Sequence, residues 1–232
     1  MIVDLEDGVA AGAKTEARAN LGELFHAPHE KAVYVRVNVG DDDDLAAVAG
    51  LPVAGVFVPK VEGLDDVPAL PHVHAMVESA RGVEAAFEIA SHPAVRGLSL
   101  GEADLRSQTG ALEDGLDYTR ARVVNAAVAA GLPRPPQSVY MNVRDLEGLA
   151  ASCRRGRVLG HLGRCAIHPD QLEVIERAYL PTRAEVELAQ ATVEKLETSG
   201  VGEVAGGLFV DAALAGSARS TLALADAYGV AE

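Results

Sequence analysis

Residues 73–105 read VHAMVESARGVEAAFEIASHPAVRGLSLGEADL. Val73–Val77 is an apolar run of strand length, Gly82–Ser91 reads as a helix, and Gly97–Leu100 is a second apolar run. The order strand, helix, strand is that of a βαβ crossover, which requires a parallel sheet. Each run is followed within a few residues by a carboxylate, Glu78 after the first and Asp104 after the second.

The same alternation extends in both directions. Further strands are expected at Ile2–Leu5, Ala32–Asn38, Gly55–Pro59, Ser138–Val143 and Arg164–His168, most of them rich in Val, Ile and Leu as in sheets buried on both faces. Helices are expected at Lys14–Leu24, Asp117–Ala130, Asp145–Arg155 and Gln171–Ala178, with Gly131 supplying a left-handed stop. Beyond residue 180 the alternation ends. Thr182 and Glu185 form a capping box, Val186, Ala189, Val193 and Leu196 recur at helical spacing, and a glycine-rich break leads to a last helix over about Asp211–Ala227. The expected architecture is α/β: a TIM-type (β/α) barrel over residues 1–180 and a C-terminal helical extension over 181–232, packed on the barrel or on a neighbouring subunit. Seven strands are counted where such a barrel has eight, and the first begins at residue 2, as though the first strand–helix unit were lacking.

Composition narrows the function classes. The 232 residues are 49% hydrophobic, enough for one large domain, and carry a net charge of −14 with no basic run, which argues against nucleic acid or an anionic membrane as partner. No stretch approaches the roughly 20 apolar residues of a membrane span. Two cysteines without metal-type or redox-type spacing, and a start without a basic signal region, lead to the expectation of a reduced, cytoplasmic setting.

In parallel α/β folds the reactive groups sit at the carboxyl ends of strands. Glu6, Arg36, Lys60, Glu78 and Asp104 occupy those positions. Five charges meeting in one mouth are costly unless neutralised, and a hard cation held by two carboxylates answers that cost. Glu78 and Asp104 are the expected magnesium ligands, and Arg36 the expected fork for a substrate carboxylate. The alternative is structural: Arg36 and Lys60 paired with Glu6 and Glu78.

Ile2-Val-Asp-Leu-Glu-Asp-Gly-Val9, Val35-Arg-Val-Asn38, Val58-Pro-Lys60, Val77-Glu-Ser-Ala-Arg-Gly82, Gly101-Glu-Ala-Asp-Leu105 and Ala166-Ile-His-Pro-Asp-Gln171 stand in register along the chain. In these segments the sequence resembles the citrate lyase β-subunit-like branch of the HpcH/HpaI aldolase superfamily, which includes malyl-CoA and citramalyl-CoA lyases. The resemblance implies Mg2+ on Glu78 and Asp104, with Arg36 and amides near Glu102 and Ala103 facing a keto-acid; Glu6 and Lys60 are expected to fix Arg36 and the ligands around the substrate. It also implies a trimer or hexamer in which Asp211, in Gly207-Leu-Phe-Val-Asp211, serves a neighbour's active site; read locally, Asp211 is a helix N-cap. The implied reaction is cleavage or formation of a 3-hydroxyacyl-CoA thioester, with a keto-acid and an acyl-CoA as partners. The alternatives are a class II pyruvate-type aldolase on free hydroxy-keto acids, a malyl-CoA thioesterase, and a truncated paralogue of low activity. Ala103, Asn142 and Ala213 depart from the family pattern, where acidic, acidic and proline residues are usual. Asp41–Asp44 reads as a solvated loop or helix start, His72 and His74 lack a third ligand for zinc, His168 reads as part of a loop, and Cys165 reads as inert core.

Overall fold

A computed structural model describes residues 1–26 and 31–230. Five strands, β1 (Ile2–Asp4), β2 (Tyr34–Arg36), β3 (Gly55–Val58), β4 (Val73–Val77) and β5 (Val95–Leu100), form one parallel sheet in the order β1-β2-β3-β4-β5. Helices α1 (Lys14–Leu24) and α2 (Asp42–Val48) follow β1 and β2, and α3 (Ala80–Glu84) and α4 (Ala86–Ala90) together make the β4–β5 crossover. The β3–β4 crossover has no α-helix, only a 3-10 turn at Leu64–Asp66.

The two faces of the sheet have different chemistry. Val35, Val37, Val56, Val58, Ala75, Val77, Leu98 and Leu100 lie in one buried cluster with the helix residues Leu21, Val48, Val83 and Ile89. On the other face, register places Asp4, Arg36, Phe57, His74 and Gly97 in one row across all five strands. The Phe57 and His74 rings stack at 3.9 Å, and Tyr34 meets Phe57 edge-on at 5.5 Å. Burial keeps His74 neutral, with its pKa lowered to about 4. Gly97 makes room for this ring, since a Cβ there would lie 2.5 Å from His74 Nδ1. Between Val73 and His74 the β4–β5 register shifts, so β5 begins at Val95 and includes an exposed Arg96, two residues before the strand start expected from the apolar run.

After β5 the chain turns into α5 (Glu102–Thr109), which ends at a left-handed Gly110, and then α6 (Asp117–Ala129), α7 (Leu146–Val158) and α8 (Gln171–Tyr179). The residues expected as strands at Ser138–Val143 and Arg164–His168 do not form them. They contribute one parallel bridge, Gln137 to Arg164, flanked by Leu162 N–H to Pro135 and Cys165 N–H to Gln137. Pro135 and Pro136, which lack donors, and the left-handed Gly163 (φ 83°) bound this bridge on its amino-terminal side.

The chain folds as two compact units, Met1–Gln171 and Leu172–Glu232. In the second, the Thr182/Glu185 capping box starts α9 (Arg183–Ser199), and Gly200 (φ 72°) ends it. The glycine-rich break folds into an antiparallel hairpin, β6 (Gly202–Val204) with β7 (Leu208–Val210), and α10 (Ala215–Tyr228) closes the unit. Among the described residues no helix is long and apolar enough to cross a membrane, and both cysteines are free.

Candidate active site

The carboxyl ends of β1 to β5 bring together all five charged residues singled out from the sequence. Glu6 is 3% exposed and receives Arg36 Nη1 at 3.2 Å on Oε2 and the Lys60 ammonium on Oε1. Lys60 also reaches Asp7 at 3.2 Å, and its backbone is left-handed (φ 54°), an uncommon conformation for a residue with a side chain. That conformation directs the Lys60 N–H onto Glu78 Oε1 at 2.8 Å. Burial lowers the Lys60 pKa, but Glu6 and Asp7 outweigh it and the net shift is upward.

Glu78 is the decisive group. It is 7% exposed and lies against Gly101, where a Cβ would stand 2.2 Å from its Oε2. Burial and then the charge of Asp104 raise its pKa to about 7. Asp104 itself is exposed in the first turn of α5. The pair therefore consists of two hard oxygen donors whose negative charges repel across adjacent strand ends. Among the described residues no group of three or more His, Cys, Asp and Glu side chains could hold a metal ion. A zinc cage does not fit, whereas magnesium does: it takes one or two protein carboxylates and fills its octahedron with water and substrate oxygens.

The Arg36 guanidinium is largely engaged. Nε donates to Asp4 Oδ1 at 2.7 Å and Nη2 to Asp4 Oδ2 at 2.5 Å, besides the bond to Glu6. Asp4 was not singled out from the sequence, although it is directly opposite Arg36 in the parallel register. Glu102 does not turn its carboxylate to the mouth: Arg120, 2% exposed, takes it at 2.8 and 2.6 Å and also binds Glu113 at 2.6 Å. The Glu102 N–H donates to Ser138 Oγ at 3.3 Å. Ala103 is exposed at the second position of α5, where helix amides lack intrahelical acceptors. In the second unit Asp211 is exposed and caps the turn Ala212–Leu214, accepting from Ala213 N–H at 2.9 Å.

The Asp41–Asp44 run starts a helix as expected but is not solvated throughout, and the histidine pair is placed differently from the expectation. In the Asp41–Asp44 run, Asp41 caps α2 but Asp44 is fully buried, accepting from Arg18 Nε at 2.6 Å and from Asn38 N–H at 2.7 Å. His72 and His74 do not share a strand face, since His72 precedes β4 with left-handed φ 61° and is exposed.

With this geometry in place, comparison with known proteins decides the family. Residues 1–75 and 70–169 match HpcH/HpaI aldolase/citrate lyase. The chain belongs to this family. A Cereibacter sphaeroides protein named (3S)-malyl-CoA thioesterase is 38% identical over 255 aligned positions, covering 98% of this chain and 86% of the relative. The citrate lyase subunit beta-like protein of Mycobacterium tuberculosis is 34% identical over 205 positions, covering 82% of this chain and 74% of the relative. The crystal structure of CitE from M. tuberculosis in complex with magnesium, acetoacetate and coenzyme A superposes with a TM-score of 0.85 at 30% identity, covering 97% of this chain and 89% of that one. A citrate lyase beta subunit from the same organism, complexed with oxaloacetate and magnesium, gives a TM-score of 0.70 at 34% identity, covering 78% of this chain and 86% of that one. The fold is accordingly the TIM-barrel type of the HpcH/HpaI family, and the family is one of aldolases and lyases.

Proposed function

We propose that this protein is a magnesium-dependent carbon–carbon lyase that cleaves or forms short 3-hydroxyacyl-CoA thioesters of the malyl, citramalyl or citryl type, giving a keto-acid and an acyl-CoA. The observation that carries the reading is the buried Glu78 at the end of β4 beside Asp104 in the first turn of α5, a carboxylate pair whose charge calls for a hard cation. Related structures holding magnesium with acetoacetate and coenzyme A, or with oxaloacetate, support it.

Glu78 and Asp104 hold the ion. When bound, magnesium supplies Lewis-acid charge that offsets the negative charge of substrate oxygens. Arg36 binds the keto-acid carboxylate through N–H groups that Asp4 and Glu6 leave free. The first turn of α5 adds dipolar stabilisation beside it through the Ala103 amide, while the Glu102 amide is held by Ser138 Oγ. Glu6 and Lys60 fix Arg36 and Glu78 in place. In the cleavage direction the substrate hydroxyl gives up its proton to solvent as its carbon becomes the keto carbon, the carbon–carbon bonding pair stays with the thioester fragment as an enolate, and the enolate carbon then takes a proton. Asp211 from a neighbouring subunit of a trimer or hexamer is the proposed acid.

A second reading is hydrolysis of the thioester bond, favoured by the (3S)-malyl-CoA thioesterase name of a relative 38% identical over nearly the whole chain. Malyl-, citramalyl- and citryl-CoA incubated with magnesium and read by mass spectrometry separate the two. The lyase yields a shorter acyl-CoA and a keto-acid, while the hydrolase yields free coenzyme A thiol and an intact hydroxy acid. No turnover of any of the three, with or without magnesium, refutes both.

A further inference from the structure

Asp4 is a charged residue of the mouth to which the proposed function gives no direct role, and each of its oxygens is fully engaged. Each of its oxygens accepts two hydrogen bonds: Oδ1 from Glu6 N–H (2.9 Å) and Arg36 Nε (2.7 Å), Oδ2 from Gly8 N–H (2.9 Å) and Arg36 Nη2 (2.5 Å). Gly8 is needed for this approach, because a Cβ there would be 2.3 Å from Oδ2. Burial pushes the Asp4 carboxyl up, but Arg36 and the two amides outweigh it and hold it below the usual range. The carboxylate is therefore an anion held in one orientation by two amides of its own loop as well as by Arg36.

The guanidinium has five N–H donors in one plane. Asp4 takes two along the Nε edge, and Glu6 Oε2 lies 3.2 Å from Nη1 as an ion pair, so both terminal nitrogens keep N–H groups that Asp4 does not use. We infer that Asp4 is a positioning residue: by holding the Nε edge it fixes the rotation of the Arg36 plane and presents the remaining terminal N–H pair to a planar carboxylate of the substrate. The inference rests on the proposed function in taking Arg36 as the carboxylate fork. It also explains why an ammonium would not serve at this position. Lysine has no second edge by which a neighbour can orient it.

In Asp4→Asn one oxygen becomes an amide donor, and in either orientation it faces one loop N–H and one Arg36 N–H, both donors themselves. The expected result is about 10- to 100-fold weaker binding of a keto-acid such as pyruvate or oxaloacetate, the range for loss of a group that orients a ligand-holding residue. It is read by calorimetry with magnesium present, and magnesium binding without keto-acid should stay within about twofold of the native protein. In a double-mutant cycle, Asp4→Asn added to Arg36→Met should cause little further loss, because Asp4 acts through Arg36. Gly8→Ala, which crowds Asp4 without removing its charge, should weaken keto-acid binding in the same direction and carries the test if Asp4→Asn does not fold. Native keto-acid affinity in the folded Asp4→Asn and Gly8→Ala variants, or additive losses in the cycle, overturns the positioning role. If the native protein with magnesium binds no keto-acid at all, it is the functional reading that fails.

Discussion

Replacing Glu78 by Gln should make the metal-free protein more stable at pH 8 and less responsive to magnesium. The carboxyl ordinarily titrates near 4.5 and is raised here to about 7 by burial and the Asp104 charge. Such a group binds its proton more tightly in the folded chain than in the unfolded one, by at most about 3 kcal/mol. The stability it contributes is fully present below pH 4.5 and is lost as the pH rises through about 7. Above that pH the folded, metal-free protein holds two ionised carboxylates side by side. Gln keeps the oxygen that accepts the Lys60 N–H and removes the charge. In EDTA the variant should therefore match the native protein near pH 4.5 and exceed it by up to about 3 kcal/mol at pH 8, or up to roughly 6–12 °C in Tm for a chain of this size. Magnesium at about 1,000-fold over Kd should reverse the order, since it adds about 4.1 kcal/mol to the protein that binds it. Differential scanning fluorimetry from pH 4.5 to 8.5, with EDTA and with magnesium, gives both comparisons. Parallel Tm–pH curves for the two proteins in EDTA would refute the argument that the site penalises its own charge.

Two further substitutions probe how the site is held. Gly101→Ala places a Cβ 2.2 Å from Glu78 Oε2 and 2.6 Å from Glu78 Cβ, so the ligand cannot escape by turning its tip alone. Magnesium affinity measured by calorimetry should fall about 10- to 100-fold, with about 1–3 kcal/mol lost from stability; unchanged affinity would mean the carboxylate is not used as placed. Arg120→Met leaves Glu102 without its buried partner and should cost about 3–5 kcal/mol in urea unfolding. A loss under about 1 kcal/mol would show that the cluster is no better than a surface ion pair.

Much of the fold was legible because strand–helix alternation is a local property. The apolar runs at residues 2–5, 32–38, 55–59, 73–77 and 97–100 fall on the five strands, and the Thr182/Glu185 box and Gly131 stand at the helix ends where their chemistry put them. Apolar content misled at 138–143 and 164–168, which form no strand beyond the single Gln137–Arg164 bridge at their start. It also hid the β6–β7 hairpin behind four glycines.

The sequence by itself determined which side chains stand at strand ends, because the spacing of Glu6, Arg36, Lys60, Glu78 and Asp104 after apolar runs is written in the chain. Only the tertiary structure decided their partners. Asp4 meets Arg36 through strand register across 32 residues, Arg120 reaches Glu102 from the next helix, and Asp44 is drawn under Arg18 and Asn38 instead of remaining in water. Hydrophobic periodicity fixes which face of an element is buried. It carries no information on which distant charge will be opposite another once the elements pack, and that pairing is set by register and by the requirement that buried polar atoms find partners.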